Sequence, residues 1–247
     1  MVDIPTLKDR LISELWLPTI RKYGTILPAR LRKSGELKLL TLTSERNFHE
    51  ITEIEQAGFT TRKNITAWTY SLPKKLRLET EILPARIVGT TRYEDSIPSP
   101  GFSIKNDFPF QIVNLDFSSQ DPNLEGGRVE KEIRALEHTI KMQKDTGEES
   151  FVILYSTVLD SACLNRQNIV QVSDGIVLMG WSGLTLAEFS ASISIQEEKM
   201  RCIEALMSKL CSKYGYSSSR TLPLVMPLDE AGTCLDSVSA IIQSSGG

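Results

Sequence analysis

The sequence predicts an α/β protein with a mostly parallel sheet and helices on both faces. Two observations carry this prediction. Between residues 37 and 157, short apolar and β-branched runs alternate with segments in which apolar residues recur every three or four positions. A crossover helix returns each strand in the same direction, so this alternation favours parallel pairing. The composition, 40% hydrophobic and 24% charged over 247 residues, is that of a folded globular chain and excludes a disordered one.

The first third of the chain predicts a leading helix and then a strand–helix unit. Four apolar residues share roughly one face of a helix over 7–22, namely Leu7, Leu11, Leu15 and Ile20. Pro18 lies within this helix and predicts a kink. Residues 37–43 are a short apolar run typical of a buried strand. The next helix is predicted to start at Asn47, whose side chain and Glu50 three residues later form a capping box.

The same alternation continues to residue 157. Further strands are predicted at 64–70, 85–91, 110–117 and 150–157. A helix is expected after Pro73, and a clear apolar stripe predicts another over 129–144. Residues 94–109, rich in proline, are expected to form a loop.

The last third of the chain has a less regular pattern. It predicts short strands at 168–172 and 175–179 and a helix over 196–214. For residues 185–195, the pattern fits either a strand or an extension of this helix. The chain is therefore divided into an N-terminal helical segment (1–36), an α/β core (37–160) and a C-terminal part (161–247) that completes the same domain.

Charge and cysteine content limit the kinds of partner. The net charge of −3 provides no global basic field, so contact with nucleic acid would need a local patch. Such patches are predicted at Arg30, Arg32 and Lys33 and at Lys74 and Lys75. The four cysteines form no C-x-x-C pair, which argues against a zinc site. Without an apolar run of about 20 residues or a signal sequence, we expect a cytoplasmic protein with no membrane segment.

Two enzyme classes are excluded by their motifs. Residues 180–183 resemble a serine-hydrolase elbow, but they lack one residue of that motif, and no histidine follows His138. The phosphate-binding motif of P-loop proteins is absent from the sequence. His49 and His138 are weak candidates for a catalytic base.

Candidate site residues follow the ends of the predicted strands, because ligands bind beyond the carboxyl ends of parallel strands. These residues are Thr43, Ser44 and Glu45 after the first strand, Thr90 in the third, and Asn114 and Asp116 in the fourth. Asp116 either orients a substrate donor or caps the following loop. Glu50 either contacts a cofactor amine or serves only the capping box.

The order of elements over 37–157, with Val113-Asn-Leu-Asp-Phe117 ending the fourth strand, resembles the Rossmann-like core of class I S-adenosylmethionine-dependent methyltransferases. The resemblance covers about half the chain. It implies S-adenosylmethionine as a cofactor near Thr43, Ser44, Glu45, Glu50 and Thr90. It also implies a catalytic edge formed by Asn114 and Asp116.

The sequence departs from that family at the residues that bind the cofactor. The loop after the first strand, residues 43–47, has none of the glycines usual in the family. The second strand ends in Trp68-Thr-Tyr-Ser71, where the family has an acid for the ribose, and no acid follows the third strand until Glu94. These departures predict a degenerate cofactor pocket.

The leading hypothesis is therefore a non-catalytic subunit or recognition module, working beside other protein subunits in a complex that acts on nucleic acid. One alternative is an active S-adenosylmethionine-dependent methyltransferase. The other is a hydrolase or nuclease subunit in which Asp95, Asp116 and Asp121 bind magnesium.

Overall fold

The computed structural model describes residues 8–27, 36–43, 49–82, 84–89, 91–99, 101–117, 128–159, 207–219, 224–227 and 234–245. The strands are β1 (Leu39–Leu42), β2 (Ile65–Trp68), β3 (Arg86–Val88), β4 (Ile112–Asp116), β5 (Ser150–Leu159), β6 (Tyr216–Ser218), β7 (Leu224–Pro227) and β8 (Cys234–Ser244). Helix α1 covers residues 8–26 and is π-helical over Leu11–Trp16 and α-helical over Leu17–Ile26. The other helices are α2 (His49–Gln56), α3 (Leu72–Glu81), α4 (Tyr93–Ser96), α5 (Arg128–Asp145) and α6 (residues 207–213).

All eight strands belong to one sheet, in the order β3-β2-β1-β4-β5-β8-β6, with β7 also paired to β8. Strands β1 to β5 are parallel. Strand β8 is antiparallel to β5, and β6 and β7 are antiparallel to β8. The order of the five parallel strands is that of doubly wound α/β proteins, so the predicted mostly parallel, Rossmann-like sheet is confirmed.

The sheet is covered on both faces, which explains why its central strands are apolar throughout. On one face, α4, α5 and α6 pack over residues such as Leu40, Val113 and Ile153. On the other face, α1, α2 and α3 pack over Leu39 and Ile112. Among the described helices, none is long and apolar enough to cross a membrane.

Most predicted elements of the core are present with shorter bounds, but two predictions need correction. Residues 94–109 are not simply a loop, because α4 and a 3-10 turn at Lys105–Asp107 occur there. Tyr93 begins α4, is buried, and its hydroxyl lies 2.9 Å from the Thr139 hydroxyl of α5. This tertiary contact stabilises a helix that the proline-rich pattern does not predict.

The second correction concerns the leading helix, which extends past residue 22 to Ile26. Its π-helical part ends at Trp16, and Pro18 lies in the first turn of the α-helical part. Pro18 lies in the interior of the continuous helix, where it has no backbone N–H to donate to the preceding turn, and the change from π-helical to α-helical geometry falls just before it.

At the other end of the chain, the sequence did not predict β6, β7 or β8. The predicted strands at 168–172 and 175–179, and residues 185–195, lie outside the described residues. The predicted helix over 196–214 is described only from residue 207, where α6 begins.

Helix α6 is joined to α5 by the carboxylate of Glu137. It accepts hydrogen bonds from Lys213 Nζ at 2.6 Å and from the Tyr214 hydroxyl at 3.0 Å. Burial acts to raise the pKa of Glu137, but these two hydrogen bonds outweigh it and hold the pKa below its ordinary value.

Candidate functional site

The candidate site lies where the carboxyl ends of β1 and β4 meet. Strand β1 is paired with β2 on one side and β4 on the other, so the chain reverses its direction of winding between β1 and β4. Ligands of doubly wound sheets bind in the crevice beyond this point. Thr43 directly follows β1, and Asp116 is the last residue of β4, so the two predicted residues reach the same edge.

Asp116 forms an ion pair with Lys8. The Lys8 ammonium lies 2.8 Å from Asp116 Oδ2, and the two side chains are 15% and 3% exposed. Helix α1 therefore brings a cation onto the acid that the sequence predicts as catalytic. A carboxylate held in this way interacts with the protein's own ammonium instead of facing an open crevice.

Asn114 is the second predicted residue of β4, and it is fully buried. Its amide donates a hydrogen bond to the Thr41 hydroxyl of β1 at 3.1 Å. Its Oδ1 accepts no hydrogen bond from the described residues. Asn114 thus links the two central strands, with one acceptor atom left over.

A seam of buried hydroxyl groups attaches α1 to the same face of the sheet. Ser237 of β8 lies at its centre, with its hydroxyl 2.7 Å from that of Ser156 and 3.3 Å from the Trp16 indole nitrogen, which donates to it. The Thr19 hydroxyl lies 2.7 Å from that of Ser239. These contacts fix the position of α1 over β5 and β8, and therefore the reach of Lys8.

Trp68, the last residue of β2, fills the position where the resemblance implies a ribose-binding acid. Its indole N–H donates to the Thr91 carbonyl at 2.9 Å. Its ring packs edge-to-face against Tyr93 at 5.5 Å and contacts Phe102 at 5.4 Å between ring centroids. Trp68 is only 4% exposed, so the carboxyl end of β2 is closed by aromatic rings.

Gly89, which follows β3, allows the indole of Trp68 to pack this closely. Its φ is +84°, and a Cβ built there would lie 2.6 Å from both the Thr69 carbonyl oxygen and a ring carbon of Trp68. No real Cβ can make such contacts, so a glycine is required at this position.

Described residues line two clefts beside Trp68. The inner cleft, at the switch point, has about 20 Å³ of free space and is lined by Leu42, Thr43, Trp68, Tyr70, Arg92, Tyr93, Glu94 and Asp116. That is room for about one water molecule. The outer cleft has about 600 Å³ and lies beside the ends of β2 and β3, where Trp68, Gly89 and Phe102 line it together with Lys75 and Asp95.

As far as the described residues line it, the inner cleft is too small for S-adenosylmethionine. Pockets for small molecules generally enclose about 300–1,000 Å³, and the space bordered by Thr43 and Asp116 is far below that range. Trp68 and Asp116, which is paired with Lys8, both border this small space.

The remaining predicted residues are distributed as follows. Thr43 is buried, and both its backbone N–H and its hydroxyl donate to the Trp68 carbonyl at 3.0 Å. Glu50 is buried in α2. Ser44, Glu45 and Thr90 lie outside the described residues, as does Asn47, the predicted capping partner of Glu50.

Of the three acids in the magnesium alternative, the two that the structure describes line different clefts. Asp95 accepts a hydrogen bond from Lys131 at 2.9 Å and lines the outer cleft, whereas Asp116 pairs with Lys8 and lines the inner one. Asp121 lies outside the described residues. Within the part of the chain that is described, no group of three or more His, Cys, Asp or Glu side chains is placed to hold a metal ion.

Three residues that matter at this edge were not predicted from the sequence. Lys8 lies 108 positions before Asp116, and nothing in its surroundings marks it as an ion-pair partner. Arg92 and Glu94 line the inner cleft because α4 is a helix, and the sequence predicted a loop over most of it. The absence of acids after the second and third strands and of glycine after the first predicts an altered pocket but does not point to these three residues.

The strand order and pairing directions define this protein as a doubly wound, Rossmann-like α/β protein. No protein-family model matches the chain, and neither does any curated protein. The solved structures to which it is similar include M. jannaschii TYW2 in complex with AdoMet, with a TM-score of 0.45 and 11% identity over 87% of this chain and 73% of that one.

Two further similarities extend over most of this chain. The N-methyltransferase NodS from Bradyrhizobium japonicum WM9 matches with a TM-score of 0.41 and 10% identity over 93% of this chain and 98% of that one. NSun6 from Pyrococcus horikoshii, solved with SFG, matches with a TM-score of 0.43 and 11% identity, over 88% of this chain but only 50% of its own length. These similarities concern the fold alone. The fold class of this chain is assigned from its own strand order.

Proposed function

We propose that this chain is a methyltransferase-like protein with a degenerate cofactor pocket, and that it acts as a non-catalytic subunit or recognition module of a complex that acts on nucleic acid. The observation that carries the proposal is the closed inner cleft, with about 20 Å³ of space and Asp116 bound to Lys8. A crevice closed by the protein's own side chains does not admit a cofactor.

Two features of the sequence support the same proposal. Residues 43–47 contain no glycine, so the backbone after β1 lacks the freedom for close approach to a ligand. Residues 69–71 provide hydroxyl groups and no acid for a ribose. Together with Trp68, these changes affect each strand end that a nucleoside cofactor would contact.

One observation favours the alternative of an active methyltransferase. The outer cleft, at about 600 Å³, is large enough for a small molecule, and Trp68 borders both clefts. However, Asp116 lines the inner cleft, so a ligand in the outer one would lie away from the acid at the end of β4.

Calorimetric titration with S-adenosylmethionine and with its demethylated product distinguishes the two. We expect no binding tighter than about 100 μM, which corresponds to roughly 5.5 kcal/mol. Binding above that strength that is lost in Asp116→Ala would overturn the proposal and favour the active enzyme. Lys22→Ala, a change at an exposed residue of α1, is the matched control.

The nucleic-acid part of the proposal depends on the basic residues Arg30, Arg32, Lys33, Lys74 and Lys75. Filter binding of a labelled single-stranded RNA, with and without charge reversal of both clusters, tests it directly. We expect a salt-dependent affinity that falls on charge reversal. Equal retention of the wild type and the reversed variant would count against a role at nucleic acid.

A further inference from the structure

Asp116, the last residue of β4, holds an ammonium group. Lys8 Nζ donates to its Oδ2 at 2.8 Å, and the Asp116 side chain is 3% exposed. This ammonium comes from α1, 108 positions earlier in the chain, and not from a neighbouring strand. A buried carboxylate in a charge-assisted hydrogen bond binds the ammonium itself, whichever stem carries it. The end of β4 therefore has the chemistry of an amine-binding site.

The charges around Asp116 balance when one ammonium group is present. Glu94 and Arg92 line the inner cleft together with Asp116, and Glu94 is buried. With all three ionised, two carboxylates and one guanidinium carry a net charge of −1. The ammonium of Lys8 brings this group to neutrality. Because an uncompensated buried charge is costly, a chain without Lys8 should attract another cation to the same place.

The space beside Asp116 favours a small cation. The inner cleft has about 20 Å³ of free space, enough for one water molecule, and an ammonium head is of similar size. Three aromatic residues, Trp68, Tyr70 and Tyr93, line this space, and aromatic side chains attract cations. A guanidinium or a trimethylated amine is larger than an ammonium group. The site therefore suits a primary amine better than these bulkier cations.

Lys8 lies in the least buried part of α1. The buried contacts of the helix begin at Leu11, whereas Asp9 and Arg10 are exposed. The hydrogen bonds of Asp9 and Arg10 with Ser13 and Glu14 stay within the helix and at its surface. A turn with few buried contacts opens more readily than the packed interior. Because Lys8 is also 15% exposed, its ammonium has a path to water while the rest of α1 stays in place.

We propose that the end of β4 is a binding site for a primary alkylammonium group, that Lys8 occupies it within the free chain, and that an external amine takes its place. The ligand is a lysine side chain of a partner protein or a free polyamine, since both carry a primary ammonium on an apolar stem. Lys8 then regulates the site, because the ligand must displace a group tethered beside it. This inference goes beyond the proposed function and requires neither a cofactor nor nucleic acid.

Lys8→Ala tests the site itself, because it removes the propylammonium part of the side chain and keeps Cβ. The variant is unfolded with urea in n-propylammonium chloride and in sodium chloride of equal concentration. We expect n-propylammonium to restore stability in a saturable manner, as a ligand that binds only the folded state does. n-Propanol, which has the same stem without the charge, should add nothing. Lys22→Ala, at an exposed residue of α1, and the double variant Lys8→Ala with Asp116→Asn should not respond either.

The intact chain tests whether an external amine displaces Lys8. A blocked peptide of glycine and serine with one central lysine is titrated by saturation-transfer NMR, beside the same peptide with norleucine. We expect the wild type to bind the lysine peptide and not the norleucine peptide. Lys8→Ala should bind the lysine peptide at least about tenfold more tightly, since the tethered competitor is gone. Asp116→Asn should bind neither peptide, and circular dichroism checks that each variant is folded.

Several results would overturn the inference. They are no gain of stability from n-propylammonium, an equal gain from n-propanol, or equal affinities of the wild type for the two peptides. Binding of the lysine peptide to Lys8→Ala alone would show that Lys8 is a fixed structural contact and is not displaced.

Spermidine, titrated in the same way, identifies the source of the amine. Tighter binding than that of the peptide indicates a free polyamine, and weaker binding indicates a lysine of a partner protein. Because none of these probes is used in the titration with S-adenosylmethionine, failure of the proposed function is recognised separately.

Discussion

Replacing Lys8 with methionine removes the ammonium group from the ion pair with Asp116 while keeping an apolar stem of similar length. The atoms are 2.8 Å apart, and Asp116 is 3% exposed. At an effective dielectric constant of about 20, the gross attraction is about 6 kcal/mol, and desolvation opposes most of it. Loss of one partner from a fully buried pair costs about 3–5 kcal/mol. Because Lys8 is 15% exposed, we expect Lys8→Met to lower the free energy of unfolding by about 2–3 kcal/mol.

Replacing the other member of the ion pair should lower the free energy of unfolding by less. Asp116→Asn keeps the size of the side chain, and Lys8 lies close enough to solvent to regain hydration, so we expect a loss of about 1–2 kcal/mol. The double variant should lose less than the sum of the single changes, with a coupling energy of about 1–2 kcal/mol. Lys22→Met changes an exposed lysine of the same helix and should stay within about 0.5 kcal/mol of the wild type.

Urea denaturation followed by circular dichroism measures all four proteins, and equal slopes show that the same transition is being compared. If Lys8→Met costs no more than Lys22→Met, or if the single changes simply add, Lys8 and Asp116 do not interact in the folded protein. The closed inner cleft would then lose its main electrostatic support.

Three further predictions concern other parts of the fold. Gly89→Ala should destabilise the protein by about 2–4 kcal/mol, since it combines a strained φ with overlap against Trp68. Gly58→Ala, at φ +80° with open space around it, should cost only about 1 kcal/mol, and equal losses in urea would contradict the packing argument. The pKa of Glu137 is lowered in the folded state, so its stabilisation is fully present above the unfolded pKa of about 4.3 and is lost as pH falls through the folded pKa. Glu137→Gln should therefore lower the free energy of unfolding by about 0.5 kcal/mol near neutral pH, and a deficit that persists in acid would refute this cause. Burial raises the pKa of Cys211 to about 12, so peptide-level mass spectrometry should find it unreactive to iodoacetamide at pH 8 until the chain unfolds; prompt labelling of the native protein would show that the thiol is accessible.

The residues of the central strands and their intervening helices could be predicted from local pattern alone. Ile112–Asp116 is apolar apart from its two site residues, and Arg128–Asp145 has a clear helical stripe. Each of these signals lies within one element, where side-chain spacing and backbone geometry are directly linked. The absence of glycine after β1 likewise predicted an altered pocket without any tertiary information.

Strands β6 to β8 and the contacts of the site residues could not be predicted from the sequence. The hydroxyl of Ser237 forms hydrogen bonds with Ser156 and Trp16, which are 81 and 221 positions away in sequence. The same holds for Lys8, whose role depends on α1 crossing the edge of β4. By itself, the sequence determined that this is a doubly wound α/β protein lacking the residues for a conventional cofactor loop. Only the tertiary structure showed that Lys8 pairs with Asp116 and that Trp68 packs against Tyr93 at the end of β2, because long-range contacts are set by packing and leave no local pattern in the sequence.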